Sequence, residues 1–273
     1  MVNNKMKNIL PLEVVALEDI FLHENVDPPR VEKLVKRLTA DGKLSNPPIV
    51  MPLDHQYVVL DGATRTTALK EMGYPHAIVQ VVTNEDKLEL LTWSHFIRQL
   101  DSSQVVKMLA NLPEISLVEI GSLDETNGHD RLCYLQTVEG QIFLVKANPT
   151  VNSAVALNKL TETYINTGFM TRTLDSNFQQ VKQKYPDITA LIVFPKYTVA
   201  QVLQVAQSGQ RLPAGITRFI IPGRVLRVNA DLVYLKSARP LSEKQRWLAD
   251  LLADKRDNGR IRYYAEPVYL LDE

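Results

Sequence analysis

The sequence has a single cysteine, Cys133, which excludes an intrachain disulfide framework and any all-cysteine metal site. It has no charge excess either: 31 Lys+Arg balance 31 Asp+Glu, for a formal net charge of zero. Proteins that live on nucleic acid usually carry a basic excess, because phosphate contacts supply much of their affinity. Neutrality therefore weighs against that class, while leaving room for a local basic patch. No run approaches the ~20 apolar residues of a membrane span. The start, MVNNKMKNILPLEVV, has no apolar stretch of signal-peptide length. The expectation is a cytoplasmic chain without a membrane segment. Low-complexity segments and internal repeats are lacking as well. What remains is 273 residues, 45% hydrophobic and 23% charged, ordinary for one large globular domain or two smaller ones.

Elements follow from patterning. Residues 12–20 read as a strand and turn. Asp27 and Pro28 suit a helix N-cap and first position, Val31, Leu34, Val35 and Leu38 recur at helical spacing, and Gly42 is a stop. Strands are expected near 49–51 and 57–60, then a helix that starts within 61–65 and ends at Gly73, then a strand at 77–82. Residues 86–111 read as helix in two pieces, broken near 101–103. The stretch 115–147 reads as β-structure, with a hairpin turning at Glu139 and Gly140. Helices are expected over 151–166 and 199–207, and a strand over 190–194. Residues 212–235 look extended and turn-rich. A last helix begins at Ser242, where Ser242 and Gln245 form a capping-box pattern, and ends near Asp257; the tail IRYYAEPVYLL reads as strand. The fold class is mixed α/β (α+β), with one domain over 1–84 and a second over 85–273.

Four places have the residue types for chemistry. The first is YVVLDGATRTTALKEMG, in which a strand runs through Asp61 and Gly62 directly into a helix. The first N–H groups of a helix have no internal partners, and small residues at Gly62, Ala63 and Thr64 let a phosphate approach them. Arg65 adds a forked, permanently charged donor, and Asp61 could hold a magnesium ion or a substrate hydroxyl. The plainer alternative is a strand–helix turn with Arg65 paired to a carboxylate. The second is His23-Glu24 before the first helix, where a carboxylate is favourable in any case and a histidine is more often a satisfied turn residue than a ligand. The third is LTWSH, whose Trp93 reads as core or as one wall of a small-ligand pocket. The fourth is PAGITRFIIPGRVL, where Thr217 beside Arg218 suits a carboxylate or phosphate clamp, or else leaves Arg218 in solvent. The run DKRDNGRIR is most simply a solvated helix end, and Cys133 a buried apolar strand residue.

Taken together and in order, LHE before a helix, DG-x-x-R after a strand, TW, PAGITRF with PGR, and the tail WLADLLADKRDNGRIRYYAEPVYLL resemble the free L-serine kinases of the ParB/sulfiredoxin fold. The resemblance is nearer to the SbnI-type kinases of siderophore (staphyloferrin B) precursor synthesis than to the archaeal ADP-dependent enzymes, and is weakest over about 100–185. It implies an N-terminal ParB/sulfiredoxin-like domain, a second α/β domain and an active site in the cleft between them. It implies transfer of a nucleotide's terminal phosphoryl group to free L-serine, with Mg²⁺ and with ATP (or ADP) as donor. Carried over by position, Glu24 is the general base and Asp61 faces the reacting groups, with a metal role open to it. Gly62, Ala63, Thr64 and Arg65 cradle the nucleotide phosphates. Trp93, Thr217 and Arg218 hold serine or its phosphate.

The family often carries a histidine immediately before the motif arginine, and Thr64 stands there instead. Sulfiredoxins place their reactive cysteine at the position of Ala63, so sulfinic-acid repair has no nucleophile here. ParB-type partition proteins add a helix-turn-helix domain, and no such pattern follows residue 84. A DNA-binding regulator or nucleotide sensor of ParB type is the alternative reading, and a kinase for threonine or homoserine a third. The resemblance leaves a homodimer open.

Overall fold

The computed structural model describes residues 10–83, 85–126, 131–165 and 167–264. The chain opens with β1 (Leu12–Ala16), a 3-10 turn (Leu17–Asp19), β2 (Ile20–Leu22) and α1 (Pro28–Asp41). Next come β3 (Lys43–Leu44), β4 (Ile49–Leu53), β5 (Gln56–Asp61), α2 (Ala63–Glu71) and β6 (His76–Val81). The middle begins with β7 (Glu89–Thr92), β8 (Ser94–Arg98), α3 (Ser102–Ala110), β9 (Ile115–Ile120) and a 3-10 turn (Leu123–Thr126). It continues with β10 (Cys133–Thr137), β11 (Ile142–Ala147), α4 (Ser153–Ile165), β12 (Met170–Thr173), α5 (Phe178–Lys184) and β13 (Ile188–Val193). The final elements are α6 (Val199–Gln207), β14 (Thr217–Ile220), β15 (Ala230–Asp231), α7 (Leu232–Lys236) and α8 (Leu241–Asp257).

These elements form two compact units, and both are discontinuous in sequence. The first takes Met1–Ile20, Pro28–Lys87 and Ile221–Glu273; the second takes Phe21–Asp27 and Leu88–Ile220. Besides moving the boundary from 84 to 87, this differs from a division into 1–84 and 85–273 in two places. The last stretch returns to the first unit because β15 pairs with β3 and α8 packs on β1. The short stretch containing Glu24 joins the second unit because Glu24 forms a parallel bridge with Leu212. Local composition carries no trace of either long-range pairing.

The first unit is built on a sheet of order β1-β6-β4-β5-β2, and the chain leaves the unit through the edge strand β2. Its second strand, β6, is antiparallel to β1 and parallel to the central strand β4. Central strands need apolar residues toward both faces, and Val50, Val59, Ala77, Ile78 and Val79 are all fully buried. Helix α1 starts at Pro28 as expected and buries Val31 and Leu38, while α2 buries Ala68 and Leu69. The capping box expected at Ser242 is not formed. Helix α8 starts one residue earlier with Pro240 as N-cap and no side-chain cap, because Gln245 Oε1 instead accepts the Val14 N–H at 2.8 Å.

The second unit is built on an antiparallel sheet of order β12-β8-β13-β10-β11-β9, beside a two-stranded ribbon of β7 and β14. Alternate residues of its central strands face opposite sides. Ile97, Leu135 and Ile192 join Leu109, Leu157, Leu160 and Tyr164 in one cluster; Phe96, Tyr134 and Leu191 join Phe178 and Val181 in another. Burial on both faces explains why 86–100 reads as helix. Ser94, His95, Phe96 and Ile97 are consecutively buried, and so short a run does not separate strand from helix by periodicity. The two strands β7 and β8 replace the expected first helical piece, and Asp101 caps the second by accepting the Ser103 N–H. Residues 261–264 of the expected terminal strand have no regular structure, and the rest of it lies outside the described residues. No helix among the described residues is long and apolar enough to cross a membrane.

Leu135 on β10 is fully buried, so Leu135→Ala should cost about 2–5 kcal/mol of stability in urea unfolding. Val155→Ala, on a side chain 50% exposed, should stay within about 0.5 kcal/mol. Equal effects of the two would overturn this assignment of the core.

Candidate active site

Four of the sequence-predicted residues lie in the second unit, as two pairs: Glu24 with Thr217, and Trp93 with Arg218. The backbone segment around Glu24 is fixed by its bridge: Leu212 N–H donates to the His23 carbonyl at 2.8 Å, and Asn25 N–H to the Leu212 carbonyl at 2.8 Å. Glu24 Oε2 then accepts the Gly215 N–H at 3.1 Å, and the Thr217 hydroxyl reaches the same oxygen at 3.4 Å. His23 is buried, with Nε2 2.8 Å from Thr217 Oγ1 and its ring edge-on to Phe219. When the Thr217 proton points to Glu24, the Thr217 oxygen accepts from His23 Nε2.

Trp93 lies between two strands, not on a helix. Thr92 is opposite Thr217 in the β7–β14 ribbon, and Trp93 N–H donates to the Ile216 carbonyl at 2.8 Å. This register brings the Arg218 guanidinium over the Trp93 ring, 4.8 Å from its centroid, a cation–π contact. Arg218 is exposed, so its contact holds a charge at the surface rather than burying it.

Three residues under this cluster were not found by sequence reasoning. Arg172 donates from NH2 to the Ala214 carbonyl at 3.0 Å and lies against Gly215, which has φ 71°. A Cβ at residue 215 would collide with the Arg172 guanidinium, so glycine is needed both for the turn and for the close approach. His95 is fully buried, with Nδ1 3.0 Å from the Tyr164 hydroxyl. Burial, then the Arg172 charge, pulls its pKa down to about 3, against an opposing backbone interaction at Gly215, so the ring is neutral at neutral pH. Spacing gave no signal for these, because each belongs to a different element. Cys133 is buried, and burial pushes its thiol well above the ordinary range, as expected of an inert core residue.

The other predicted residues lie together in the first unit. Gly62, with φ 97°, is the left-handed N-cap of α2. A Cβ there would stand 2.8 Å from Arg65 NH2 and 3.0 Å from Pro48 Cα, so its absence lets the guanidinium fold back over the turn. Arg65 NH2 bonds Asp61 Oδ2 at 2.9 Å, and Arg224 NH1 bonds the same oxygen at 2.6 Å. The two readings left open for Arg65 are thus compatible: it is paired to a carboxylate and it also stands at a helix start. Arg224 belongs to the PGR run but had been given no role. Burial alone would raise the Asp61 pKa, yet the charges and hydrogen bonds of Arg65 and Arg224 prevail and hold the carboxyl below its usual 3.8. Ala63 is buried and Thr64 half-buried on the first turn.

Among the described residues no group of three or more His, Cys, Asp or Glu is placed to hold a metal. The donor set at Asp61 is one half-exposed carboxylate with an oxygen already on two guanidiniums. This fits a Mg²⁺ ion held chiefly by substrate phosphates and water, not a cage of protein ligands.

No protein-family model matches the chain. The ATP-dependent L-serine kinase SbnI of Staphylococcus aureus is 28% identical over 264 residues, which is 96% of this chain and 97% of that one. A structure of SbnI with a C-terminal truncation, also from S. aureus, superposes with a TM-score of 0.71 at 23% identity, covering 90% of this chain and 97% of that one. A free serine kinase in complex with AMP superposes with a TM-score of 0.72 at 16% identity, covering 84% and 97%. The mixed α/β fold is the fold of these structures, and the resemblance read from the motifs extends along nearly the whole chain.

The Asp61 cluster has a pH signature. Its folded-state pKa lies below the unfolded one, so its stabilisation is complete above the ordinary carboxylate value and fades as pH falls through the folded value. The stabilities of the wild type and Asp61→Asn, measured by urea unfolding, should differ most above about pH 4 and converge in stronger acid. A difference independent of pH would show that the arginines do not hold Asp61 ionised.

Proposed function

We propose that the protein is an ATP-dependent kinase of free L-serine that produces O-phospho-L-serine. The observation that carries this reading is the similarity to an ATP-dependent L-serine kinase along 96% of the chain. The local geometry supports it, because each unit contains one half of the required chemistry.

The acceptor half is the Glu24 cluster. A serine hydroxyl is a weak nucleophile, so a base must take its proton as the new bond forms. Glu24 is that base: the Gly215 N–H fixes one of its oxygens, and Thr217 stands beside it. Arg218, held over the Trp93 ring, is a forked donor for the amino-acid carboxylate. Thr217 and Trp93 orient the rest of the small substrate.

The donor half is the start of α2. The N–H groups of its first turn and the Arg65 guanidinium bind the nucleotide phosphates, with Gly62, Ala63 and Thr64 small enough to let them approach. Thr64 contributes a backbone N–H and a hydroxyl to phosphate binding, and it supplies no charged donor of the kind a histidine at that position would. Asp61 orients the arginines and would offer a carboxylate oxygen to a nucleotide-borne Mg²⁺. That ion, when bound, neutralises phosphate charge. The balance of the step is simple. The serine Oγ–P bond forms, the bond from the γ-phosphorus to the β-bridging oxygen breaks, ADP leaves, and the hydroxyl proton goes to Glu24. Charge spreads over the transferring oxygens, so positioning and electrostatics supply most of the catalysis. No chain residue becomes phosphorylated.

Phosphorus NMR with Mg²⁺, L-serine, and ATP or ADP in separate tubes tests the reading. A serine-dependent O-phosphoserine signal with ATP is expected; its absence with both nucleotides would overturn the proposal. Glu24→Gln should still bind nucleotide but lose roughly 10²–10⁴ in turnover. Full turnover in that variant would remove Glu24 as the base. Arg65→Ala should instead weaken nucleotide binding, and unchanged affinity would move the phosphate site elsewhere.

A further inference from the structure

The geometry points to Arg224 as a second phosphate-binding arginine of the donor half, fixed in place by Gln80. This rests on the nucleotide reading of the α2 start but does not follow from it.

The first observation is a charge imbalance. Arg65 and Arg224 both contact Asp61 through a single nitrogen each, and both contacts fall on Oδ2. Two guanidiniums on one carboxylate oxygen leave a net positive charge. A guanidinium has five N–H donors in a rigid fork, and one nitrogen on Asp61 uses only part of that fork. Arg65 Nε is shielded from water and has no hydrogen-bond partner among the described residues. A polyphosphate supplies both the negative charge and the acceptor oxygens that such a pair lacks.

The second observation is how Arg224 is held. Residues 222–229 have no regular secondary structure, yet they are clipped at several points. Gln80, only 1% exposed on β6, donates from Nε2 to the Gly223 carbonyl at 3.2 Å and accepts the Val225 N–H on Oε1 at 2.9 Å. Its amide therefore brackets Arg224 on both sides. Arg227 N–H donates to Asn46 Oδ1 at 3.0 Å, and Val228 N–H to the Ser45 carbonyl at 2.7 Å. Arg227 and Asn229 adopt φ of 56° and 52°, left-handed conformations that side chains rarely take. Such strain persists only where the surroundings over-determine the backbone, and it gathers at ligand clamps. A buried glutamine spent wholly on the backbone either side of one arginine is a positioning residue for that arginine.

ADP binding, measured by titration calorimetry without serine, tests the inference, with inorganic tripolyphosphate as a second probe. Arg224→Ala should bind ADP and tripolyphosphate about tenfold to a hundredfold more weakly, the loss of a charge-assisted contact. Arg224→Lys should recover only part, because a point charge replaces a fork. Gln80→Met removes both clips at similar volume and should raise the KM for ATP several-fold while leaving that for serine unchanged. Combining Gln80→Met with Arg224→Ala should be no worse than Arg224→Ala alone, because Gln80 acts through Arg224. Additive losses would overturn the positioning role of Gln80. If Gln80→Met fails to fold, Gln80→Glu, which keeps the acceptor and loses the donor, takes its place with the same expectation. Wild-type affinity in Arg224→Ala would overturn the inference alone. A wild type that binds neither ADP nor tripolyphosphate would overturn the nucleotide reading and this inference with it.

Discussion

The parallel bridge at Glu24 and Leu212 is the constraint on which the acceptor half depends. It brings a carboxylate to an N–H group 191 positions further along the chain. Closing a loop of that length costs roughly 5 kcal/mol of chain entropy, whereas three backbone-donated hydrogen bonds return only about 3 kcal/mol net. The deficit is met by apolar burial. Leu212 and Phe219 are both nearly fully buried, and each contributes about 1.5–3 kcal/mol. The hydrogen bonds select the register, and the buried side chains hold it. Glu24 is therefore positioned by a core, not by a loop, which suits the role of base proposed for it.

The donor half follows a different logic. Its ion pairs are a quarter to two-fifths exposed, and pairs of that kind contribute only about 0–1 kcal/mol to stability. What Asp61 supplies is orientation. Two long side chains 159 positions apart in the sequence converge on one carboxylate oxygen, which fixes where their guanidiniums lie. The glycine at 62 is part of the same arrangement, since a side chain there would occupy the place of the Arg65 guanidinium.

Much of this was legible in the residues. Helix α1 was marked by Pro28 and its apolar spacing, the start of α2 by the DGATR turn, the β10–β11 hairpin by its turn at Glu139 and Gly140, and α6 by the stop at Gly209. Those signals are local. The strand carrying His95 was misread because burial on both faces removes the alternation that identifies a strand. The role of Gly215 was invisible because it depends on Arg172, which arrives from β12. The extent of the first unit was invisible because β3 and β15 are two residues each, and pairing between such short segments has no sequence pattern. The motifs supplied the candidate residues, but not that Glu24 would be held by the Gly215 N–H and the Thr217 hydroxyl, because that contact spans most of the sequence.

The discontinuity of the units also imposes an order on synthesis. Everything the second unit needs has left the ribosome by Ile220, whereas the first unit still lacks β15, α7 and α8 at that moment. The Val14 N–H waits for a glutamine 231 positions later. Contacts so distant in sequence form slowly, because their loop entropy is lost before they are rewarded. The nascent chain therefore completes the unit that contains Glu24 while the unit that contains Asp61 and Arg65 still lacks three of its elements, β15, α7 and α8.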